Sequence, residues 1–442
     1  MYMTDVYFSF DTEDFTCNYS SDAVRDEANL LHEYGIRANF NVVGYLAREF
    51  VRNRRTDVLD ALKNHTISFH SLRHTYHPTL CEYTDTESYA EARAELEQRE
   101  QEGMGMVKAA CGVDAFPAAC PPGNSFSYVA MYGYTDWDIP LYLGSLFNLP
   151  GGEGVYFCNG FHTNYDCALE EILFNEDFDP KAFLEEMAKR RRYVLYNHPN
   201  MVLHYEFWDK YNYNKENQYP MYQWVEPPRR TDEEVARYYA NMRRLVEALQ
   251  ADSRFRISSV DALRDEVTAA MADRTVTYEM LPDIRASLEK RFRWTDSPVP
   301  LSVADCFFAA RHFLFSREPY HPGKARGFLY EPEGVKAPVT LTADEVRRAA
   351  ASVSPEEFLP PYFTVSGKRI GPADLLFAML DVATGAETVT LTPRRQQCEY
   401  EETYPSLLYT GFRNTWLHAD TLEDRYLSDR LRLQAWTLRP EA

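Results

Sequence analysis

The feature that most constrains the fold of this 442-residue chain is an alternation of short strand-like runs with helical patterns, from residue 5 to about residue 265. This order is typical of a parallel sheet or barrel with helices outside it, because each parallel strand needs a long crossover to reach the next. The strand-like runs are residues 6–10, 38–43, 66–69, 155–157, 193–196 and 254–257, with a weaker run near Phe116. The sequence therefore predicts an α/β protein built on an irregular parallel β/α barrel.

Helical patterns fill the intervals between these runs. The predicted helices cover residues 21–34, 55–64, 87–110, 180–191 and 231–250. In the last of them apolar residues recur at the spacing of one helix face, at Val235, Tyr239, Met242, Val246 and Leu249. Thr231, with Glu234 three residues later, is typical of a capped helix start.

The texture of the chain changes after residue 268. Helical patterns punctuated by proline appear at residues 303–315, 342–352 and 372–383, and residues 360–370, PPYFTVSGKRI, read as extended. We therefore expect two domains, a barrel over residues 1–268 and a smaller, mainly helical accessory domain over residues 269–442. Residues 206–230 are long for a connection in the barrel, so they are either a lid or binding wall or a packed surface insertion.

The charge and the cysteine spacing exclude several classes of function. A net charge of −20 repels phosphate backbones and anionic lipid, so nucleic acid is not an expected partner. No apolar run is long enough to span a membrane, and the amino terminus lacks the pattern of a signal peptide, which favours a cytoplasmic protein. The eight cysteines form no CxxC pair, so we expect free thiols.

Polar residues suited to catalysis follow four of the strand-like runs. They are Asp11 and Glu13 after the first run, His70 and His74 after the third, Pro122 and Gly123 after the run near Phe116, and His198 after residues 193–196. In a parallel β/α barrel these positions meet at one rim, the carboxyl end of the strands, where active sites are built. A single such residue is usually structural, whereas their joint occurrence favours an active site.

Two histidines four residues apart, with a carboxylate from another loop, suit a divalent metal ion. Neutral imidazole and carboxylate are good ligands for Zn²⁺, and three protein ligands leave a position open for water. Three histidines compete for this role in FHSLRHTYHP, namely His70, His74 and His77. The spacing alone is a weak signal, because such pairs are common by chance.

As a set, these segments resemble the polysaccharide deacetylases, the NodB homology domain of carbohydrate esterase family four. SFDTEDF at residues 9–15 resembles the first family motif in a D-x-E variant, FHSLRH at 69–74 the second, and LYNHP at 195–199 the fifth. CPPGNSFS at 120–127 looks like the third motif, and GIRANFNVVG at 35–44 looks like a strand of the family. The likeness covers about residues 4–265, with the motifs in the family's order.

The resemblance implies a role for each of these residues. Asp11 would be the catalytic base and His198 the general acid. A divalent metal, with Zn²⁺ as the first choice, would be held by Glu13, His70 and His74, with Asp14 as the alternative carboxylate. The substrate groove would include Pro122, Gly123, Asn124, Trp137 and Asp138.

One position departs from the family pattern. The third motif normally begins with an arginine that orients the base, and Cys120 stands there in this chain. A cation beside a carboxylate favours its charged form, so its loss has to be compensated. Either another arginine, such as Arg73 or Arg37, takes the place, or the base is tuned in another way, or catalysis is impaired.

The implied function is hydrolysis of N-acetyl or O-acetyl groups on a carbohydrate, with release of acetate. Two alternatives remain open. One is hydrolysis of a small non-sugar amide on the same fold, and the other is a glycan-binding protein that has lost turnover with the arginine. The sequence identifies neither the sugar nor the oligomeric state.

Overall fold

The computed structural model of the chain describes residues 3–147, 149–213, 220–393, 397 and 422–441, except for the side chain of Asn124. These residues form two compact units. The first comprises the described residues of Met1–Gly154, His162–Glu266 and Leu407–Arg425. The second comprises those of Val155–Phe161, Val267–Ser406 and Tyr426–Ala442.

The strands and helices are numbered in chain order. The strands are β1 (Thr4–Thr12), β2 (Asn39–Val42), β3 (Thr66–Phe69), β4 (Ala118–Ala119), β5 (Leu141–Leu143), β6 (Val155–Phe157), β7 (Gly160–Thr163), β8 (Cys167–Ala168), β9 (Arg192–Asn197), β10 (Phe255–Ile257), β11 (Val339–Thr342), β12 (Phe363–Val365), β13 (Lys368–Ile370), β14 (Thr388–Leu391) and β15 (Arg439–Pro440). The α-helices are α1 (Ser20–Glu33), α2 (Gly44–Arg52), α3 (Thr56–Leu62), α4 (Leu80–Thr84), α5 (Tyr89–Cys111), α6 (Tyr128–Asp136), α7 (Leu169–Ile172), α8 (Pro180–Met187), α9 (Pro199–Leu203), α10 (Trp208–Asn212), α11 (Asp232–Ala251), α12 (Val260–Ala272), α13 (Leu281–Lys290), α14 (Val303–Phe313), α15 (Ala343–Ala351), α16 (Pro372–Ala383) and α17 (Leu427–Arg432).

The first unit contains a sheet in the order β5-β4-β3-β2-β1-β9-β8, and β10 pairs with the first residues of β1. Neighbouring strands in this order run parallel to each other. Strands buried on both faces are expected to be almost continuously apolar, as β1 is over VYFSF. The predicted fold class, an α/β protein with a parallel strand-and-helix barrel, is confirmed.

Two glycines bring the helices close to the loop that follows β3. A Cβ atom on Gly103 would lie 2.7 Å from the Cα atom of Leu72, and one on Gly44 would lie 2.7 Å from the Cα atom of Gly103. Only glycine permits this approach. The backbone N–H groups of Gly44 and Tyr45 also donate to the carbonyls of Ser71 and Leu72. The loop between β3 and α4 is therefore held from two sides.

The second unit has its own core, formed largely by α13, α14 and α16. Within it β11 pairs with β14, and residues 360–370, which the sequence reads as extended, contain the antiparallel hairpin of β12 and β13. The pairing of β6 with β15 joins residues from the middle of the chain to its end. Residues 155–161 therefore belong to this unit, although the predicted boundary lies at residue 268.

Several other expectations concern single residues or segments. The seven cysteines among the described residues form no disulfide, and Cys398 lies outside the described residues. Residues 214–219 of the segment 206–230 also lie outside them, while α10 lies in the same segment. No helix in the described part of the chain is long and apolar enough to cross a bilayer.

Candidate active site

The carboxyl ends of four strands of the parallel sheet carry the residues of this site. Asp11 is the penultimate residue of β1, and Glu13 follows that strand directly. His70 follows β3, Cys120 follows β4 and His198 follows β9. Because these strands are parallel, the order of the sheet brings together side chains that are far apart in the chain.

Glu13, His70 and His74 form a compact group of buried ligand atoms. One atom from each of the three side chains lies within 4.8 Å of the other two. The Oε2 atom of Glu13 is 2.8 Å from Nε2 of His74 and 3.5 Å from Nε2 of His70. The structure thus brings together the three residues that the family resemblance implies as metal ligands.

The orientation of the two imidazoles fits a metal ion. The Nδ1 atom of His70 bonds to the backbone carbonyl of Cys120 at 3.0 Å, which turns Nε2 toward Glu13. That Nε2 atom is buried and has no hydrogen-bond partner among the described residues. A buried polar atom without a partner is costly, and metal-binding histidines commonly anchor their other ring nitrogen in this way. The donor set and this orphaned nitrogen both suit Zn²⁺.

His74 is anchored through its other ring nitrogen as well. Its Nδ1 atom lies 3.4 Å from Asp209 Oδ2 and 3.3 Å from Thr75 Oγ1, and the Thr75 hydroxyl donates to Asp209 at 2.8 Å. His74 also has a positive φ of 50°, and its backbone N–H donates to Ser71 Oγ at 3.0 Å. Left-handed backbone at a residue other than glycine is uncommon and tends to occur at functional sites.

Glu13 and His74 carry opposite charges in the protein without an ion. Burial lowers the pKa of His74, but the carboxylates of Glu13 and Asp209 outweigh burial and raise the pKa to about 10. Burial raises the pKa of Glu13, yet His74, His70 and His198 bring it well below its usual range. Glu13 and His74 are therefore an ionised pair near neutral pH, and a bound cation would replace the proton on the imidazole.

Asp11 is held by neutral hydrogen-bond donors. Its Oδ1 atom accepts from the Tyr165 hydroxyl at 2.7 Å and from Asn41 Nδ2 at 2.8 Å. Its Oδ2 atom lies 3.8 Å from Cys120 Sγ and 3.8 Å from His198 Nε2. Because Oδ1 is occupied by two short bonds, Oδ2 is the oxygen available for a proton.

The two arginines considered as substitutes for the missing family arginine have other partners. Arg37 pairs with Asp261 at 2.9 Å, and Arg73 lies over the ring of Tyr76. Burial and the neighbouring Asp11 raise the pKa of Cys120 well above its usual range, so the thiol stays neutral. The side chains that contact Asp11 within the described residues include no arginine. Tyr165 and Asn41 provide the hydrogen bonds instead.

His198 is oriented by a carboxylate that was not predicted from the sequence. Its Nδ1 atom bonds to Glu170 Oε1 at 2.5 Å, which turns Nε2 toward Asp11. Burial lowers the pKa of His198, but Glu170 outweighs burial and raises it to about 10. The imidazole is therefore protonated near neutral pH and able to donate a proton.

Residues of the segment 206–230 complete the wall of the site. The indole of Trp208 donates to Glu13 Oε1 at 3.2 Å, and Asp209 contacts His74. Both side chains are almost fully buried. The sequence left open whether this segment is a lid or binding wall or a packed surface insertion. The part that includes α10 fits a binding wall.

The remaining candidates lie elsewhere or serve another purpose. Asp14, the alternative ligand, accepts hydrogen bonds from Thr16, Cys17 and Ser20 and organises the loop after β1. His77 bonds to Glu82 and is not in the group of ligand atoms. The turn Pro122–Asn124 follows β4 and lies at the same carboxyl end.

Trp137 and Asp138 precede β5 and therefore lie at the amino end of the sheet, away from this rim. The guanidinium of Arg93 covers the Trp137 ring at 4.5 Å, which gives that indole a packing role. In the sequence, a tryptophan next to an aspartate marks no particular end of a strand. We leave both residues out of the proposed site.

Five residues that contact the predicted ones were not identified from the sequence, in which little marks them. They are Asn41, Tyr165, Glu170, Trp208 and Asp209. An acidic residue in the first turn of a helix, such as Glu170, is usually read as a charge that favours the helix dipole. The one available signal was Asn41 inside a strand, because a buried amide needs partners.

Comparison with known proteins finds no matching family model and no matching curated protein. Solved structures match at low identity. A Mycobacterium smegmatis protein considered a polysaccharide deacetylase is 14% identical, with 61% of this chain and 91% of that chain covered and a TM-score of 0.40. A pseudoenzyme of carbohydrate esterase family four from Bacillus anthracis is 14% identical, with 60% of this chain and 66% of that chain covered and a TM-score of 0.34.

A third match is a family 4 carbohydrate esterase from Streptomyces lividans, solved in complex with acetate. It is 12% identical, with 56% of this chain and 88% of that chain covered and a TM-score of 0.29. Two of these three structures are of carbohydrate esterase family four, and one of the two is a pseudoenzyme. Activity therefore has to be argued from the side chains of this chain.

Proposed function

We propose that this chain is a metal-dependent hydrolase that removes acetyl groups from a carbohydrate and releases acetate. The observation that carries the proposal is the meeting of a ligand group, a base and an acid at one rim of the sheet. Glu13, His70 and His74 would hold the ion, Asp11 is the base and His198 is the acid. Hydrolysis of an amide needs this division of labour.

The ion would be Zn²⁺ or a similar divalent cation. When bound, it supplies a Lewis acid that polarises the acyl carbonyl and makes water a better nucleophile. The chain's contribution is to keep Nε2 of His70 and His74 directed at one point, through the bonds that anchor their Nδ1 atoms. Three protein ligands leave room for substrate.

Asp11 would take the proton of the attacking water. Its Oδ1 atom is fixed by Tyr165 and Asn41, so the proton goes to Oδ2. Fixing a base in one orientation lowers the entropic cost of reaching the transition state. The two neutral donors do so without the cation that the family pattern has at position 120.

His198 would deliver a proton to the departing amine from Nε2. Glu170 keeps the imidazole protonated and aimed by accepting the hydrogen bond from Nδ1. A backbone N–H in the turn after β4, near Gly123 or Asn124, is in the part of the rim that could stabilise the oxyanion. The products are acetate and a free amino sugar, or a free hydroxyl if an O-acetyl group is cleaved.

The substrate class separates this proposal from its alternatives. Purified protein loaded with Zn²⁺ should release acetate from N-acetylated or O-acetylated glycans. It should leave small non-sugar amides, such as cyclic ureides, unchanged. Turnover of cyclic ureides without acetate release would favour the small-amide alternative. Glycan binding without turnover of either substrate would identify a binding protein that has lost catalysis.

A further inference from the structure

A second group of metal-ligating side chains lies outside the candidate active site. It consists of Cys17 in the loop after β1, His204 directly after α9, and Glu226 in the segment before α11. One ligand atom of each lies within 4.8 Å of the other two. Thiolate, imidazole and carboxylate together are a donor set typical of zinc.

His204 is oriented as a ligand would be. It is completely buried, and its Nδ1 atom bonds to the carbonyl of Asn200 at 3.0 Å. This fixes Nε2 toward Glu226, whose Oε1 atom is 3.0 Å away. Because the Asn200 carbonyl holds Nδ1, Nε2 is the ring nitrogen that faces the other two side chains.

Glu226 is fixed by a neighbouring arginine. Arg229 donates to both of its carboxylate oxygens, at 2.5 and 2.9 Å, and the guanidinium lies 3.9 Å from the centre of the Tyr19 ring. A ligating carboxylate held by a second hydrogen-bonding group is a common feature of metal sites.

The backbone holds the three residues in place. His204 forms an antiparallel bridge with Arg229, and the N–H of Arg230 donates to the carbonyl of Leu203 at 2.8 Å. The N–H of Cys17 donates to Asp14 Oδ1 at 3.1 Å. Nitrogen and oxygen ligands of one tetrahedral zinc ion lie about 3.3 Å apart, given bonds of about 2.0–2.1 Å. The present separation of His204 from Glu226 needs to change by only a few tenths of an ångström.

We propose that Cys17, His204 and Glu226 form a second metal site, which binds Zn²⁺ or another thiophilic divalent cation with water as the fourth ligand. The ion would join the loop after β1 and the segment before α11 to the end of α9. Its role would be structural. By holding Glu226, the ion would help to position the segment that also carries Trp208 and Asp209, which contact Glu13 and His74. The site does not depend on the proposed hydrolase activity.

Metal content of the full-length protein tests the proposal. After dialysis against a metal-free buffer, we expect two zinc ions per chain in the unchanged protein and one in Cys17→Ser and in His204→Gln. His74→Ala should also keep one ion, which shows that the two sites are separate. One ion in the unchanged protein that is lost in His74→Ala would overturn the proposal and leave the His204–Glu226–Arg229 cluster as a simple ion pair.

Cobalt gives a second readout that does not depend on stoichiometry. Co²⁺ bound by a thiolate has a charge-transfer absorption in the near ultraviolet, and Glu13, His70 and His74 offer no sulfur. The band should be present in the unchanged protein and absent in Cys17→Ser. Cys120→Ser is the matched control, because Cys120 lies with Asp11 and His70 in another group of possible ligands, and it should keep the band. A band that survives Cys17→Ser, or no band at all, would overturn the assignment, whatever the outcome of the activity assay.

Discussion

The Nδ1–H group of His198 donates a hydrogen bond to the carboxylate of Glu170, and these two residues follow the neighbouring strands β9 and β8. The opposite ring nitrogen faces Asp11 Oδ2 at 3.8 Å. Because one carboxylate fixes the ring and its charge, the other nitrogen is available to donate a proton. This arrangement supports the proposed role of His198 as the general acid, with Glu170 as the residue that would position it.

Glu170→Gln should therefore change the pH dependence of turnover. Glu170 holds the pKa of His198 at about 10, so a neutral amide should lower that pKa and move the alkaline limb of the kcat profile to lower pH. Metal content should stay unchanged, because Glu170 is in none of the three groups of possible metal ligands among the described residues. An alkaline limb that does not move would show that another group is the acid.

His198→Ala should lower kcat by about 10²–10⁴-fold, the range typical of general acids and bases.

Tyr165→Phe tests whether a neutral hydroxyl positions the base. The variant removes one of the two bonds to Asp11 Oδ1, and hydrogen bonds to charged groups contribute about 1.5–3 kcal/mol. We expect kcat to fall about 10- to 100-fold while KM changes little. Tyr196→Phe is the matched control, because this ring stacks on Tyr165 but is not among the described donors to Asp11. Equal losses in both variants would indicate a packing effect and contradict the positioning role.

Asp209→Asn tests whether Asp209 supports the metal site proposed at Glu13, His70 and His74. Asp209 contacts Nδ1 of His74, and loss of such a partner typically weakens metal affinity about 10- to 100-fold. A competition titration with a fluorescent chelator measures this change for the site that contains His74. Tyr211→Ala, in the same helix but with its side chain exposed, should leave the affinity unchanged. An Asp209→Asn variant that binds the ion as tightly as the unchanged protein would rule out this role.

A chain cut after residue 268 should be less stable than the full chain. The cut removes β15, the partner of β6, together with Thr437, whose hydroxyl accepts from the N–H of Cys158 at 2.9 Å. Val155 and Phe157 are buried, so β6 would become an exposed apolar strand edge that favours aggregation. Thermal denaturation and light scattering measure both effects. A fragment with the melting temperature of the full chain would show that residues 1–268 are an independent domain.

The sequence was enough to predict the residues at the ends of the strands. Asp11, Glu13, His70 and His198 each follow an apolar run, and a parallel sheet gathers such positions at one edge whatever the details of packing. Their partners were not predictable in this way. Tyr165 and Glu170 reach Asp11 and His198 from segments without a strong strand pattern, since β8 has only two residues. Contacts of this kind depend on strand order, which a single sequence does not reveal.

The C-terminal part illustrates a different limit. The helix at residues 303–313 begins with a capping box, the one at 372–383 begins with a proline, and both lie close to their predicted positions. The inclusion of residues 155–161 in the second unit depends on pairing with residues near the end of the chain. No local pattern encodes such a long-range pairing, because both partners are short and read only as extended segments.

The most direct test of the proposed function is acetate release from N-acetylated and O-acetylated glycans, chitin oligosaccharides among them, by chelated protein before and after addition of Zn²⁺. We predict no release after chelation, recovery with one equivalent bound at Glu13, His70 and His74, and no recovery in His74→Ala. His77→Ala is the matched control and should recover, because His77 bonds to Glu82 outside the ligand group. Acetate release that survives chelation or the His74→Ala change, or no release by the zinc-loaded protein, would contradict the proposed function.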